Sequence, residues 1–203
     1  MNVIPADPPS GLRVGLLGGS FNPAHAGHLH VSLLALRRLK LDQVWWLVSP
    51  QNPLKPQAGM APLEDRLAGA ARAAADPRIR VGAIEAELGT RYTADTLVAL
   101  KARFPGLRFV WLMGADILVQ LPRWKRWRDV FRAVPIAVFA RPSYSLKARF
   151  GRAARQFAAA RQLASRASDL AAMTPPAWVF LRTPLHGASA SRIRARRTAD
   201  HNG

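Results

Sequence analysis

The sequence predicts an α/β protein built on one open parallel sheet with helices on both faces. Three observations carry that expectation. Apolar runs of strand length alternate along the chain with amphipathic stretches of helix length. The runs are apolar at successive rather than alternate positions, as in strands buried on both faces. Finally, 203 residues, 49% of them hydrophobic, suffice to fill two core layers in a single domain.

The elements follow in order. LRVGLL, Leu12 to Leu17, reads as a buried strand. A helix is expected from about Gly27 to Lys40, with Leu29, Leu33, Leu36 and Leu39 near helical spacing. DQVWWLVSP forms the second strand, closed by the Pro/Asn/Pro cluster between Pro50 and Pro56. A helix around Leu63 to Ala75, a strand near Ile79 to Ala83, a helix from Thr93 to Arg103 and a strand RFVWLMG from Arg108 to Gly114 come next. A short helix near Trp124 to Phe131 precedes the strand PIAVFA. A long arginine- and alanine-rich helix then spaces Arg149, Arg152, Arg155 and Arg161 among alanines, with Phe150 and Phe157 a helical face apart. AWVFLR supplies the last strand, and a helical turn starts at Ser189.

Composition narrows the function. Thirty Lys and Arg against 12 Asp and Glu give +18 and a pI near 11.8, which calls for an anionic partner: a nucleic acid, an acidic membrane face or a phosphorylated small molecule. Twelve basic and 2 acidic residues lie from Arg141 onward, where a solvated helical face is favoured over a dedicated binding patch. Cysteine is absent, so disulfides, thiolate zinc sites and cysteine nucleophiles are excluded, in keeping with a cytoplasmic location. The first residues, MNVIPADPPSGLR, lack the pattern of a secretory signal, and no apolar stretch reaches the ~18 residues of a spanning helix.

The first strand-to-helix turn, GGSFNPAHAGHLH, holds three of the five histidines. In an open parallel sheet that turn is the favoured seat for a phosphate. Gly18 and Gly19 let main-chain N–H groups approach an anionic oxygen, and the following helix adds its positive end. Neither the dinucleotide glycine pattern nor the Walker lysine motif is present. His25 and His28 stand three apart at a helix start, so both rings can face one side. Phosphate contact, a zinc pair completed by His186 or carboxylates, or two capped imidazoles all fit that spacing. Asp116, beyond the strand that ends at Gly114, suits either a ribose or a helix N-cap.

His25-Ala26-Gly27-His28 resembles the signature of the HxGH nucleotidyltransferases, and SASRIR, with Ser189, Ser191 and Arg194, resembles their second motif SSTxIR. NPLK, RYTADTL, MGAD, LPRWKRW and FARPSY are further similar to the bacterial nicotinate-nucleotide adenylyltransferase family, a likeness running from Val14 to Arg194. Asn22, Leu54 and Ser191 depart from it, standing where many members have Asp, His and Thr. The resemblance implies a Rossmann-like, nucleotidyltransferase-type sheet: a flexible leader at 1–11, one domain over 12–197 and a tail at 198–203. It implies adenylyl transfer from ATP to nicotinate mononucleotide in NAD biosynthesis, with magnesium carried by ATP. His25, His28 and Arg194 would be catalytic. Gly18, Gly19, Ser20, Phe21, Gly114, Asp116, Ser189 and Ser191 would hold ATP. Lys55, Thr93, Ala94, Trp124 and Lys125 would hold the acceptor, with Trp124 stacked on the pyridine. The resemblance calls for no membrane partner and is compatible with a homo-oligomer. A sister enzyme acting on pantetheine phosphate shares the same motifs. A basic nucleic-acid binder would explain the charge yet leave the HxGH spacing unexplained.

Overall fold

The computed structural model describes residues 3–50, 59–142 and 144–182. Strands β1 (Arg13–Gly19), β2 (Gln43–Val48), β3 (Ile79–Gly82), β4 (Arg108–Gly114), β5 (Ile136–Phe139), β6 (Arg161–Gln162) and β7 (Trp178–Leu181) form one sheet in the order β3-β2-β1-β4-β5-β7-β6. Every pairing is parallel. The chain winds outward from β1 through β2 to β3, then returns to the other side of β1 with β4. That reversal opens a crevice at the carboxyl ends of β1 and β4, where open parallel sheets bind ligands.

Helices α1 (Ala26–Arg38) and α2 (Leu63–Ala73) cover one face, with a 3-10 stretch at Ala164–Ala172. The other face carries α3 (Ile84–Glu87), α4 (Thr93–Arg103), α5 (Ala115–Gln120), α6 (Trp127–Ala133), α7 (Ser145–Phe150) and α8 (Arg152–Gln156). Two apolar layers result, because Trp45 and Leu47 point to one side of β2 while Val44, Trp46 and Val48 point to the other.

The elements differ from expectation in three places. In α1 the buried stripe is Val31, Leu34, Ala35 and Leu36, while Leu33 is 41% exposed. Ser32 is buried with them because its hydroxyl donates to the His28 carbonyl at 2.9 Å and accepts from Trp46 Nε1 at 2.8 Å. The short helix near Trp124 is two pieces, a 3-10 turn at Leu121–Arg123 and then α6, with Arg126 between them in the left-handed region at φ 54°. The single arginine-rich helix is not formed. Gly151 stops α7 in extended geometry and becomes the N-cap of α8, and the chain then lays down the two-residue strand β6 beside β7. Phe157 stacks flat on Phe131 at 4.1 Å, whereas Phe150 is 68% exposed. Extending the sheet past β7 outweighed continuation of an alanine-rich helix.

Residues ahead of the first strand touch the sheet. Val3 bridges Val81 of β3, and the Gly11 N–H donates to the Gly106 carbonyl at 2.7 Å.

Candidate active site

The crevice is built from the β1–α1 turn. An added Cβ at Gly18 would sit 2.5 Å from the Trp111 indole, so that glycine is required by packing beneath the turn. Gly19 is less crowded; its nearest neighbour would be the Phe21 ring at 3.5 Å. Phe21 takes the left-handed conformation at φ 46° and packs its ring between Trp46, 5.1 Å away, and His28, 4.6 Å away. Asn22 ties the turn to the segment before α2 by donating to the Gly59 carbonyl at 2.9 Å.

The histidines cap their own helix. His25 is the N-cap of α1; its Nδ1 accepts the Gly27 N–H at 3.1 Å, and His28 Nδ1 accepts the His25 N–H at 3.2 Å. This is the reciprocal arrangement usually made by Ser or Thr with Glu. The rings lie 3.9 Å apart on one side of the helix start. With Nδ1 occupied as an acceptor, the proton of each neutral ring sits on Nε2. In that state Nε2–H remains on each ring as a donor, so capping the helix and donating to a ligand are compatible. Among the described residues no three His, Cys, Asp or Glu gather as a metal site.

At β4, Gly114 is the N-cap of α5 and makes no side-chain cap; Asp116 is the second helical residue. A Cβ at Gly114 would collide with Asp116 Oδ1 and lie 3.0 Å from Arg141 Nε. Those two atoms face each other at 3.9 Å, both buried, neither with a hydrogen-bond partner. A buried carboxylate oxygen and guanidinium N–H left in this state are set to receive hydroxyls or ring nitrogens of a ligand.

A family model described as cytidylyltransferase-like matches residues 16–196. A relative named "Probable nicotinate-nucleotide adenylyltransferase", from Parvibaculum lavamentivorans, is 60% identical over 186 residues, 92% of each chain. The chain belongs to the nicotinate-nucleotide adenylyltransferase family. A second relative of that name, from Cereibacter sphaeroides, is 59% identical over 182 residues, 90% of this chain and 96% of its own. The fold matches that of Plasmodium falciparum nicotinic acid mononucleotide adenylyltransferase complexed with NaAD, with a TM-score of 0.68 at 14% identity, over 91% of this chain and 83% of that one.

For an adenylyltransferase, the second group of expected residues lies on the same rim. Thr93 and Ala94 form the first turn of α4, where neither amide has a main-chain acceptor among the described residues; the Asp95 and Thr96 N–H groups take the Tyr92 carbonyl. Lys125 Nζ sits 4.6 Å over the Tyr92 ring, and Arg126 bridges Asp95 at 2.5 Å and Asp129 at 3.0 Å. These contacts hold the Trp124–Lys125 segment against the start of α4. Trp124 is half-buried, and its N–H donates to the Leu121 carbonyl. Lys55, Ser189, Ser191, Arg194, Leu54 and His186 lie outside the described residues.

Three residues on this rim escape the sequence reading. Arg66 of α2 is buried. The one sequence signal is its helical spacing with Ala70, the other buried residue of α2, which by itself does not mark an arginine as buried. Glu85 of α3 is also buried and hydrogen-bonds Ser49 at the end of β2; burial pushes its carboxyl above the ordinary range, partly opposed by that bond. Arg141, noticed only as part of an Arg-Pro turn, faces Asp116.

No helix among the described residues is long and apolar enough to cross a membrane.

Proposed function

We propose that the rim at the carboxyl ends of β1, β2 and β4 carries adenylyl transfer from ATP to nicotinate mononucleotide, releasing pyrophosphate and nicotinate adenine dinucleotide. The observation that supports this most directly is the pair of rings at the α1 N-terminus, each capped on Nδ1 and so fixed as an Nε2–H donor at the crevice between β1 and β4.

The acceptor's phosphate oxygen attacks the α-phosphorus in line as the bond to pyrophosphate breaks. The attacking oxygen is already anionic, so the protein supplies position and charge relief rather than a nucleophile. His25 and His28 donate to the triphosphate as charge grows on the leaving group, about 3 kcal/mol for a well-placed donor. Main-chain amides from Gly18 and Gly19 through Ser20 to Phe21, with the N-terminus of α1, cradle phosphate oxygens. Asp116 accepts from ribose hydroxyls, which would satisfy its orphaned Oδ1, and Gly114 keeps that corner open. Arg194, Ser189 and Ser191 are assigned to the triphosphate by the resemblance of SASRIR to the family's second motif. Mg2+ arrives with ATP as the substrate complex, bound by phosphates and water.

Lys55 takes the acceptor phosphate. Trp124 stacks on the pyridine, and the amides of Thr93 and Ala94 with Lys125 receive the nicotinate carboxylate. Pyrophosphate release measured with the acid mononucleotide, its amide and pantetheine phosphate tests the reading. Turnover is expected with the acid form; turnover with pantetheine phosphate alone would overturn it.

A further inference from the structure

Arg66 is a buried guanidinium that pairs with no carboxylate among the described residues. Four of its five N–H donors end on main-chain carbonyls: Nη1 on Ser20 at 2.9 Å and Ser49 at 2.6 Å, Nη2 on Pro50 at 2.9 Å, and Nε on Ala61 at 2.9 Å. One side chain of α2 thus joins the β1–α1 turn, the end of β2 and the approach to its own helix. Desolvation lowers its pKa with no opposing acidic neighbour, but an arginine so held stays charged.

The bond to Ser20 has a directional effect. In a trans peptide the carbonyl and the next N–H point in opposite directions, so fixing the Ser20 carbonyl on Arg66 turns the Phe21 N–H away from it. Among the described residues that N–H donates to no main-chain acceptor, and it lies at the residue whose ring contacts His28. A positive charge left without a carboxylate also stands directly behind the turn. Charge and direction both favour an anion on the far side.

We propose that Arg66 is a positioning residue for ATP: through the Ser20 carbonyl it holds the Phe21 amide toward the triphosphate while its own charge lies behind the turn. This deepens the adenylyltransferase reading and rests on it. The test compares Arg66→Met and Arg66→Lys with the unaltered protein, with circular dichroism and thermal melting confirming the fold before kinetics. In Arg66→Met the KM for ATP is expected to rise about tenfold, with inhibition by pyrophosphate weakened in parallel. Arg66→Lys keeps the charge but not the fork and is expected to recover part of that loss.

A KM for ATP within about twofold of the unaltered protein in both folded variants, with any loss confined to kcat, would overturn the proposal, since a smaller native fraction lowers kcat alone. Failure of both variants to fold would also overturn it, making Arg66 a residue of the fold rather than of the turn. Absence of turnover in the unaltered protein would instead count against the adenylyltransferase reading.

Discussion

The β1–α1 turn and the segment from Ser145 to Ala172 are both dense in small and basic residues, yet they behave oppositely. In the turn, spacing dictates structure: His25 and His28 close a capping box, Asn22 bonds across to Gly59, and Ser20 is held by Arg66. In the later segment composition dictates little. A run that reads as one helix breaks into two short helices, a 3-10 turn, an edge strand and another 3-10 stretch. Specific hydrogen bonds fix a backbone; helix propensity of a few tenths of a kcal/mol per residue yields to sheet pairing and burial.

The largest test of that contrast is His28→Ala, expected to lower kcat on the order of a hundredfold while circular dichroism stays native; full activity would remove the capped ring from catalysis. Phe157→Ala is expected to cost about 2 kcal/mol in urea unfolding, through the lost stack on Phe131 and a partly collapsed cavity. Glu85→Gln addresses the rim by pH. Because burial raises the native carboxyl above its unfolded value, the native state binds the extra proton between the two values, so stability is lost as pH rises through that window. The glutamine variant should flatten that slope and be the more stable protein at pH 8 in denaturant titrations. Phe150→Ser should change stability by less than about 0.5 kcal/mol, for an exposed ring that a continuous helix would have paired with Phe157. An equal cost at Phe150 and Phe157 would restore the single helix.

Much of this was legible in the chain. Helix α4 and strand β4 begin and end where the pattern places them, at Thr93 and Arg103 and at Arg108 and Gly114. The HxGH spacing placed both rings together. Capped imidazoles were among the readings that spacing allowed, but that Nδ1 makes the bond in each ring, and so which tautomer results, was not legible, because it depends on ring orientation. Arg66 escaped because an arginine in an amphipathic helix is normally solvated; its burial depends on three carbonyls converging from distant parts of the chain, at Ser20, Ser49 and Pro50. The phase of α1 was misread at Leu33 because a serine, satisfied by Trp46, took a core position.

The outer margins of the sheet carry a consequence for the protein at high concentration. One rim strand, β6, offers only Arg161 and Gln162, and the opposite rim at β3 is met by Val3. A foreign strand seeking to zip onto either rim finds, among the described residues, a two-residue ledge of Arg161 and Gln162 or a strand already engaged at Val81, two of the ways natural sheets blunt their edges.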